Sequence, residues 1–294
     1  MALPPTAKPT DVSPIPSIIP DVPVFERVGD LGVGTFYVVF VIMLLAAVGF
    51  TVLAWRTPIE KRLYHIVTTL IVIFAGISYL AMATGGGRGW TSYRTTEHHK
   101  HGVPDTHQRV FRQVFWGRYV DWALTTPLLL LDLALLAGMP GADILVMIVA
   151  DEIMILTGLF AALARGNVTW GWFVVSVVAF LVVIFQLGWS GLRTARQRDS
   201  ASSAWFTALA GWTVVIWILY PIIFALGEGA HVLGVDGEVL AYAILDILAK
   251  PVFGGLLLFI HDRKPSTNIS LGGIWAHGFD YEGRIRVGEE DEGA

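Results

Sequence analysis

The sequence predicts an all-α membrane protein, a seven-transmembrane-helix bundle with its N-terminus outside and its C-terminus inside. Three observations carry that prediction. The 294 residues are 54% hydrophobic and only 15% charged, with a mean hydropathy of +0.63, too apolar for an ordinary soluble domain of this length. Seven stretches reach the roughly 20 apolar residues that a helix needs to cross a hydrocarbon core. Basic residues gather in alternate connections between those stretches, as the positive-inside tendency requires.

Taken in chain order, residues 1–33 are rich in proline and lack a positively charged start followed by an apolar core, so they read as a flexible extracellular tail and not as a cleavable signal. The first two spans fall near 34–55 and 63–84, joined by a short loop carrying Arg56, Lys61 and Arg62. A longer loop over 85–113 holds acids, histidines and Arg88, Arg94, Lys100, Arg109 and Arg112, a basic content that runs against the assigned direction. The short connections decide the matter. Spans three to seven fall near 114–137, 142–164, 170–192, 205–227 and 239–261, with Arg193, Arg196 and Arg198 in the fifth connection and Arg263 and Lys264 after the last span. These basic regions and the first loop belong in the cytoplasm. The membrane domain is therefore 34–262, and 263–294 is a cytoplasmic tail whose acidic "GEEDEGA" end is solvated.

Composition also narrows the partners. A net charge of −4 points to no nucleic acid, so the lipid bilayer is the evident partner, and the absence of cysteine removes disulfides and thiolate metal sites. The "TEHHKH" of the second loop reads as a solvated surface and not as a metal site. "NVT" at Asn167 fits a glycosylation sequon, set close to the membrane. No internal repeat is evident.

The third span carries unusual chemistry in "RYVDWALTTPLLLLD", residues 118–132. At 1.5 Å per residue, Asp121 and Asp132 stand about 16 Å apart along the axis, one toward each side of the membrane. At 100° per residue, Asp132 falls about 20°, Thr125 about 40° and Arg118 about 60° from Asp121, a single stripe. An ionisable group facing lipid at mid-membrane costs at least ~2.5–3.5 kcal/mol, so the stripe faces the bundle interior. The seventh span answers it with "LDILAKPVFGG", in which Asp246 and Lys250 lie one turn apart on one face. Such a pair is either a structural tie between helices or a site for imine chemistry, because a low dielectric favours the neutral, nucleophilic form of a lysine.

These stretches, together with "WILYP" of the sixth span, resemble a microbial (type 1) rhodopsin of the bacteriorhodopsin kind, in the fungal opsin branch, over all seven spans in order. The resemblance implies a light-driven transporter or photoreceptor and not an enzyme. It implies all-trans retinal bound covalently to Lys250 as a protonated Schiff base. It also implies Asp121 and Asp246 as counterions, Asp121 as primary proton acceptor and Asp132 as cytoplasmic proton donor. Arg118, one turn further out, is expected to balance the charge of Asp121 and Asp246. Asp132 has no basic neighbour in its own helix and sits among leucines, a setting that keeps its proton on.

By the same resemblance, Glu228 and Glu238 match a proton-release pair, against the plainer reading of two solvated loop acids. Tyr79, Trp122, Trp217, Tyr220 and Pro221 match positions around retinal and the counterion, and Asp151 a position near the retinal ring. Thr125 is expected to pack on retinal and tune Asp121. Three departures stand out. Pro251 removes a backbone donor beside Lys250 and is expected to loosen the seventh helix, Phe224 replaces a pocket tryptophan, and Glu152 adds a second mid-span acid about 100° from Asp151.

Two function classes follow, with a weaker third. The first is an outward, light-driven proton pump, since Asp121, Thr125 and Asp132 argue against the chloride and sodium patterns. The second is a slow-cycling sensory photoreceptor that signals through a partner. The third is a retinal-free transporter using the buried acids as a relay. The expected location is a plasma membrane, and a homo-oligomer is compatible with the sequence.

Overall fold

The computed structural model describes residues 16–19, 22–100, 103–198 and 200–263. The acidic end, Lys264 and most of the N-terminal tail lie outside them. Among the described residues, seven helices are long and apolar enough to span a membrane: α1 Asp30–Arg56, α2 Leu63–Thr84, α3 Trp116–Ala137, α4 Gly141–Leu163, α5 Asn167–Ala195, α6 Ser202–Gly229 and α7 Val235–Arg263. The expected spans recur within a few residues. The largest differences are at the starts of α1 and α7, which begin at Asp30 and Val235.

The helices divide by how much of each is enclosed. More than half of the apolar window of α2, α3 and α7 is buried (56%, 61% and 56%), against 22–33% for the other four. Those three helices form the wall of the interior, and they carry Arg118, Asp121, Asp132, Asp246 and Lys250. The outer faces of α1 and α5 leave residues such as Leu45, Val48, Val174 and Phe185 exposed, as lipid-facing helices do, because lipid and core are equally apolar. Helix ends follow local chemistry. α2 and α3 stop at Gly85 (φ 95°) and Gly138 (φ 74°), left-handed positions that a glycine occupies without steric cost.

The 85–113 segment is more than a loop. β2 (Gly89–Glu97) and β3 (Thr106–Val114) pair antiparallel, and β1 (Val24–Glu26) adds parallel to β3, giving the order β1-β3-β2. The cue is the β-branched and aromatic content of "WTSYRTTE" and "THQRVFRQV". β1 and the first turn of α1 lie within the stretch read as tail. Across the hairpin, His98 Nδ1 lies 2.8 Å from Asp105 and His99 Nε2 2.5 Å from Thr106. His101 is outside the described residues.

α7 departs from α-geometry where the sequence places Pro251. Residues Leu248–Val252 form a π-turn that includes Lys250. Proline cannot donate the backbone hydrogen bond of a regular turn, and a wider turn accommodates that loss.

Candidate functional site

The centre of the bundle is an ion cluster contributed by α3 and α7. Lys250 Nζ donates to Asp121 Oδ2 at 2.6 Å and to Asp246 Oδ1 at 2.8 Å. All three residues are at most 2% exposed. The i,i+4 spacing of Asp246 and Lys250 survives the π-turn, and the α3 stripe delivers Asp121 to the same point. Burial at this depth is tolerable only because the charges are paired.

The two carboxylates are held very differently. Asp246 accepts hydrogen bonds from Tyr79 Oη (2.6 Å), Tyr220 Oη (2.8 Å) and, more weakly, Trp122 Nε1 (3.4 Å), besides Lys250. Asp121 has Lys250 on Oδ2, while its Oδ1 is buried without a partner. Thr125 Oγ1 donates to the backbone carbonyl of Asp121 at 2.8 Å, so it holds that residue's turn of helix.

A cavity opens from Lys250. Trp122, Thr126 and Leu129 of α3, Met154 of α4, Phe173 of α5, and Trp217, Tyr220, Pro221 and Phe224 of α6 line it. Phe224 stacks on Phe173 with ring centroids 5.1 Å apart. Asp151 lies behind this wall, fully buried, and accepts from Thr126 Oγ1 at 2.6 Å. Glu152 is only partly buried.

Toward the β-sheet end lies a second ionic layer. Arg118 is 1% exposed, donates to Glu238 at 3.1 Å, lies 3.9 Å from Glu228 and sits 4.0 Å over the ring of Tyr242. Arg118, expected to balance the charge of Asp121 and Asp246, makes its direct contacts with Glu238 and Glu228 instead of with that pair. Lys250 pairs with both inner carboxylates, and the long Arg118 side chain, starting one turn outward, reaches the next acids along. Glu228 and Glu238 are 5% and 1% exposed, so they are not solvated loop acids. Tyr119 Oη donates to Glu228 at 2.8 Å.

Sequence reasoning missed several members of this layer. Arg112 of β3, also 1% exposed, donates to Glu238 (2.9 Å), Glu26 of β1 (2.8 Å) and the carbonyl of Leu233 (2.7 Å). Burial opposes its charge, but Glu238 and Glu26 outweigh that and hold the guanidinium above its ordinary range. Strand alternation was the available signal, since Val110, Arg112 and Val114 share the buried face of β3. Tyr119 and Tyr242 gave no signal apart from packing.

On the opposite side of the central cluster, Asp132 is 0% exposed and neither carboxyl oxygen has a hydrogen-bond partner. Leu129, Leu130 and Leu133 are buried beside it in α3. Along one axis the bundle thus carries an unpartnered acid, a lysine between two acids, and an arginine–glutamate layer.

Comparison with known proteins places this arrangement among relatives. A family model described as bacteriorhodopsin-like protein matches residues 33–263. Opsin-1 of Neurospora crassa is 49% identical over 281 residues, covering 95% of this chain and 92% of that protein. The crystal structure of a light-driven proton pump from Leptosphaeria maculans superposes with a TM-score of 0.81 at 47% identity, over 83% of this chain and 100% of that one. That of the light-driven proton pump of Coccomyxa subellipsoidea gives 0.74 at 36% identity, over 80% and 99%.

Proposed function

Because the chain belongs to the bacteriorhodopsin-like family, we propose that it is a light-driven outward proton pump of a plasma membrane, with all-trans retinal carried on Lys250. The observation that carries this reading is the asymmetry around Lys250: Asp121, with a free oxygen, on one side of the path, and the unpartnered Asp132 on the other. The names of the Leptosphaeria and Coccomyxa relatives agree with it.

The residues fit the cofactor. The cavity beside Lys250 is lined by aromatic and apolar side chains, and its one amine sits at the end where an aldehyde would be captured. Trp122, Trp217, Tyr220 and Pro221 would hold the polyene. Bound as a protonated Schiff base, retinal would supply light absorption, a shape change and one transferable proton.

The chain's own groups then give that proton a direction. Asp121 and Asp246 stabilise positive charge at Lys250 in a low dielectric. Asp246 would lose hydrogen bonds from Tyr79 and Tyr220 on taking a proton, whereas Asp121 can be protonated on Oδ1 without losing one. Asp121 is therefore the acceptor and Asp246 the fixed counterion. Glu228 and Glu238, bridged by Arg118, form the release layer toward the outside. Asp132, buried and unpaired, holds a proton in reserve on the cytoplasmic side.

The test is light-driven acidification of the medium by cells or inside-out-controlled vesicles containing the retinal-loaded protein. Protonophore-sensitive acidification is expected. A stable pigment that moves no protons would replace the pump with the sensory reading.

Asp132→Asn tests the donor separately. The counterions are untouched, so the dark absorption is expected to stay in place. Recovery after a flash should become pH-dependent and slow by roughly 10²-fold, the low end for loss of a positioned proton-transfer group, with rescue by small weak acids such as azide. Recovery at the parent rate and independent of pH would make Asp132 a structural acid.

A further inference from the structure

At the end of the bundle opposite Arg118, where α2 begins and α7 ends, lies a cluster of titratable groups that the pathway above does not use. His65, in the first turn of α2, is 0% exposed. Its Nε2 lies 3.2 Å from Asp262 Oδ1 and 3.4 Å from Thr57 Oγ1, while its Nδ1 is buried with no partner. Asp262, by contrast, has a side chain 40% exposed. One ring nitrogen thus faces a solvent-reaching carboxylate and the other has no hydrogen-bond partner in the protein.

The surroundings continue inward. His261 packs against both His65 (ring centroids 5.8 Å) and Tyr64 (4.7 Å), and its Nε2 donates to the carbonyl of Lys61 at 3.0 Å. Tyr64 is 1% exposed and its hydroxyl has no partner. Asp132 is five residues from the end of α3, about 8 Å by helix rise, so it approaches the same end of the bundle. Tyr64 lies within electrostatic reach of Asp132 and Arg198. Other charged groups border the cluster, with Arg62 within electrostatic reach of His65 and Lys61 of His261. Arg62 donates to the carbonyl of Thr57, Arg198 to that of Leu136, and Arg263 lies over the ring of Phe259.

A simple tie between α2 and α7 would need only the His65–Asp262 contact. It would not leave His65 Nδ1, the Tyr64 hydroxyl and both Asp132 oxygens buried without partners, since each such group carries a desolvation cost. We propose that Asp262 and His65 form the proton-uptake relay that recharges Asp132 from the cytoplasm. This rests on the reading of Asp132 as the proton donor.

Thr57 Oγ1 donates to the carbonyl of Leu53, so Nε2–H is the donor toward the Asp262 carboxylate and the neutral ring carries its proton on Nε2, with Nδ1 bare. A proton entering from bulk water adds to the bare Nδ1, and the Asp262 carboxylate stabilises the imidazolium through Nε2–H. The Nδ1 proton then passes, through water along Tyr64, to the Asp132 carboxylate. One proton enters and one is delivered, and the ring keeps its Nε2 proton throughout.

The experiment uses the full-length, retinal-loaded protein in lipid. Flash-induced infrared spectra follow the Asp132 carboxyl band, assigned by its loss in Asp132→Asn, in the parent, in His65→Ala and in Asp262→Asn. In the parent the band should disappear and return. In His65→Ala its disappearance should keep the parent rate, while its return slows roughly 10²-fold and is restored by added imidazole. Asp262→Asn, altered at a partly exposed side chain, should slow the return in the same direction and shift the pH at which it slows.

Nitrogen-15 spectra of the His65 ring in the dark protein add a readout independent of turnover. They should show the proton on Nε2, with its resonance moved in Asp262→Asn. An unchanged return of the band in both variants, or a slowing that imidazole does not relieve, overturns the relay. No carboxyl change at Asp132 in the parent would instead overturn the donor reading on which the relay rests.

Discussion

Lys250→Ala is expected to give a membrane-inserted protein with no visible absorption after addition of all-trans retinal, a complete loss. The cavity ends at the Lys250 amine, and no other described lysine lines it. Removing that cation also strands Asp121 and Asp246, both 1% exposed or less. Breaking a buried ion pair by deleting one partner costs about 3–5 kcal/mol, so a lowered melting temperature should accompany the loss of colour. Lys250→Arg separates the two effects. Arginine keeps the positive charge between the acids but cannot condense with an aldehyde under these conditions. It should therefore recover stability and stay colourless. A covalent retinal adduct in either variant would move the attachment site elsewhere.

The second large effect is expected at Asp121. Negative charge beside Lys250 stabilises the ground state of the bound chromophore, whose positive charge is localised there, more than the excited state, in which charge moves along the polyene. Asp121→Asn should thus shift absorption to the red and bring proton transport below detection, because the acid with the free oxygen is also the proposed acceptor. Acidifying the parent protein should shift its colour in the same direction. The contrast with Asp246 is sharp. Tyr79 and Tyr220 brace Asp246, so Asp246→Asn should lower stability as well as shift colour. Measured spectra of Asp121→Asn and of acidified parent that both coincide with the neutral parent would remove Asp121 from the counterion role.

The outer layer ties this chemistry to the β-sheet. Arg112 and Glu26 extend the Glu238 network to β1, so the N-terminal segment belongs to the ionic architecture of the bundle mouth. That connection joins residues 86 and 126 positions apart. No local pattern announces such a contact.

What the sequence determined by itself about this protein is whatever depends on neighbours along the chain. Hydropathy over about 20 residues marks the seven spans. The 100° helical step puts Asp121, Thr125 and Asp132 on one stripe and Asp246 beside Lys250. Pro251 marks where α7 leaves regular geometry. Only the tertiary structure decided which of two similar carboxylates is saturated and which has a free oxygen, because the donors to Asp246 come from α2, α3 and α6. It also turned Arg118 away from Asp121 toward Glu238, and folded the connection between α2 and α3 into strands that carry Arg112 inward. It brought His65 of α2 to Asp262 of α7 as well. In each case the deciding force is pairing of buried polar groups in a medium without water. Such a group accepts whichever partner the packing brings within reach, however far away it lies in the chain.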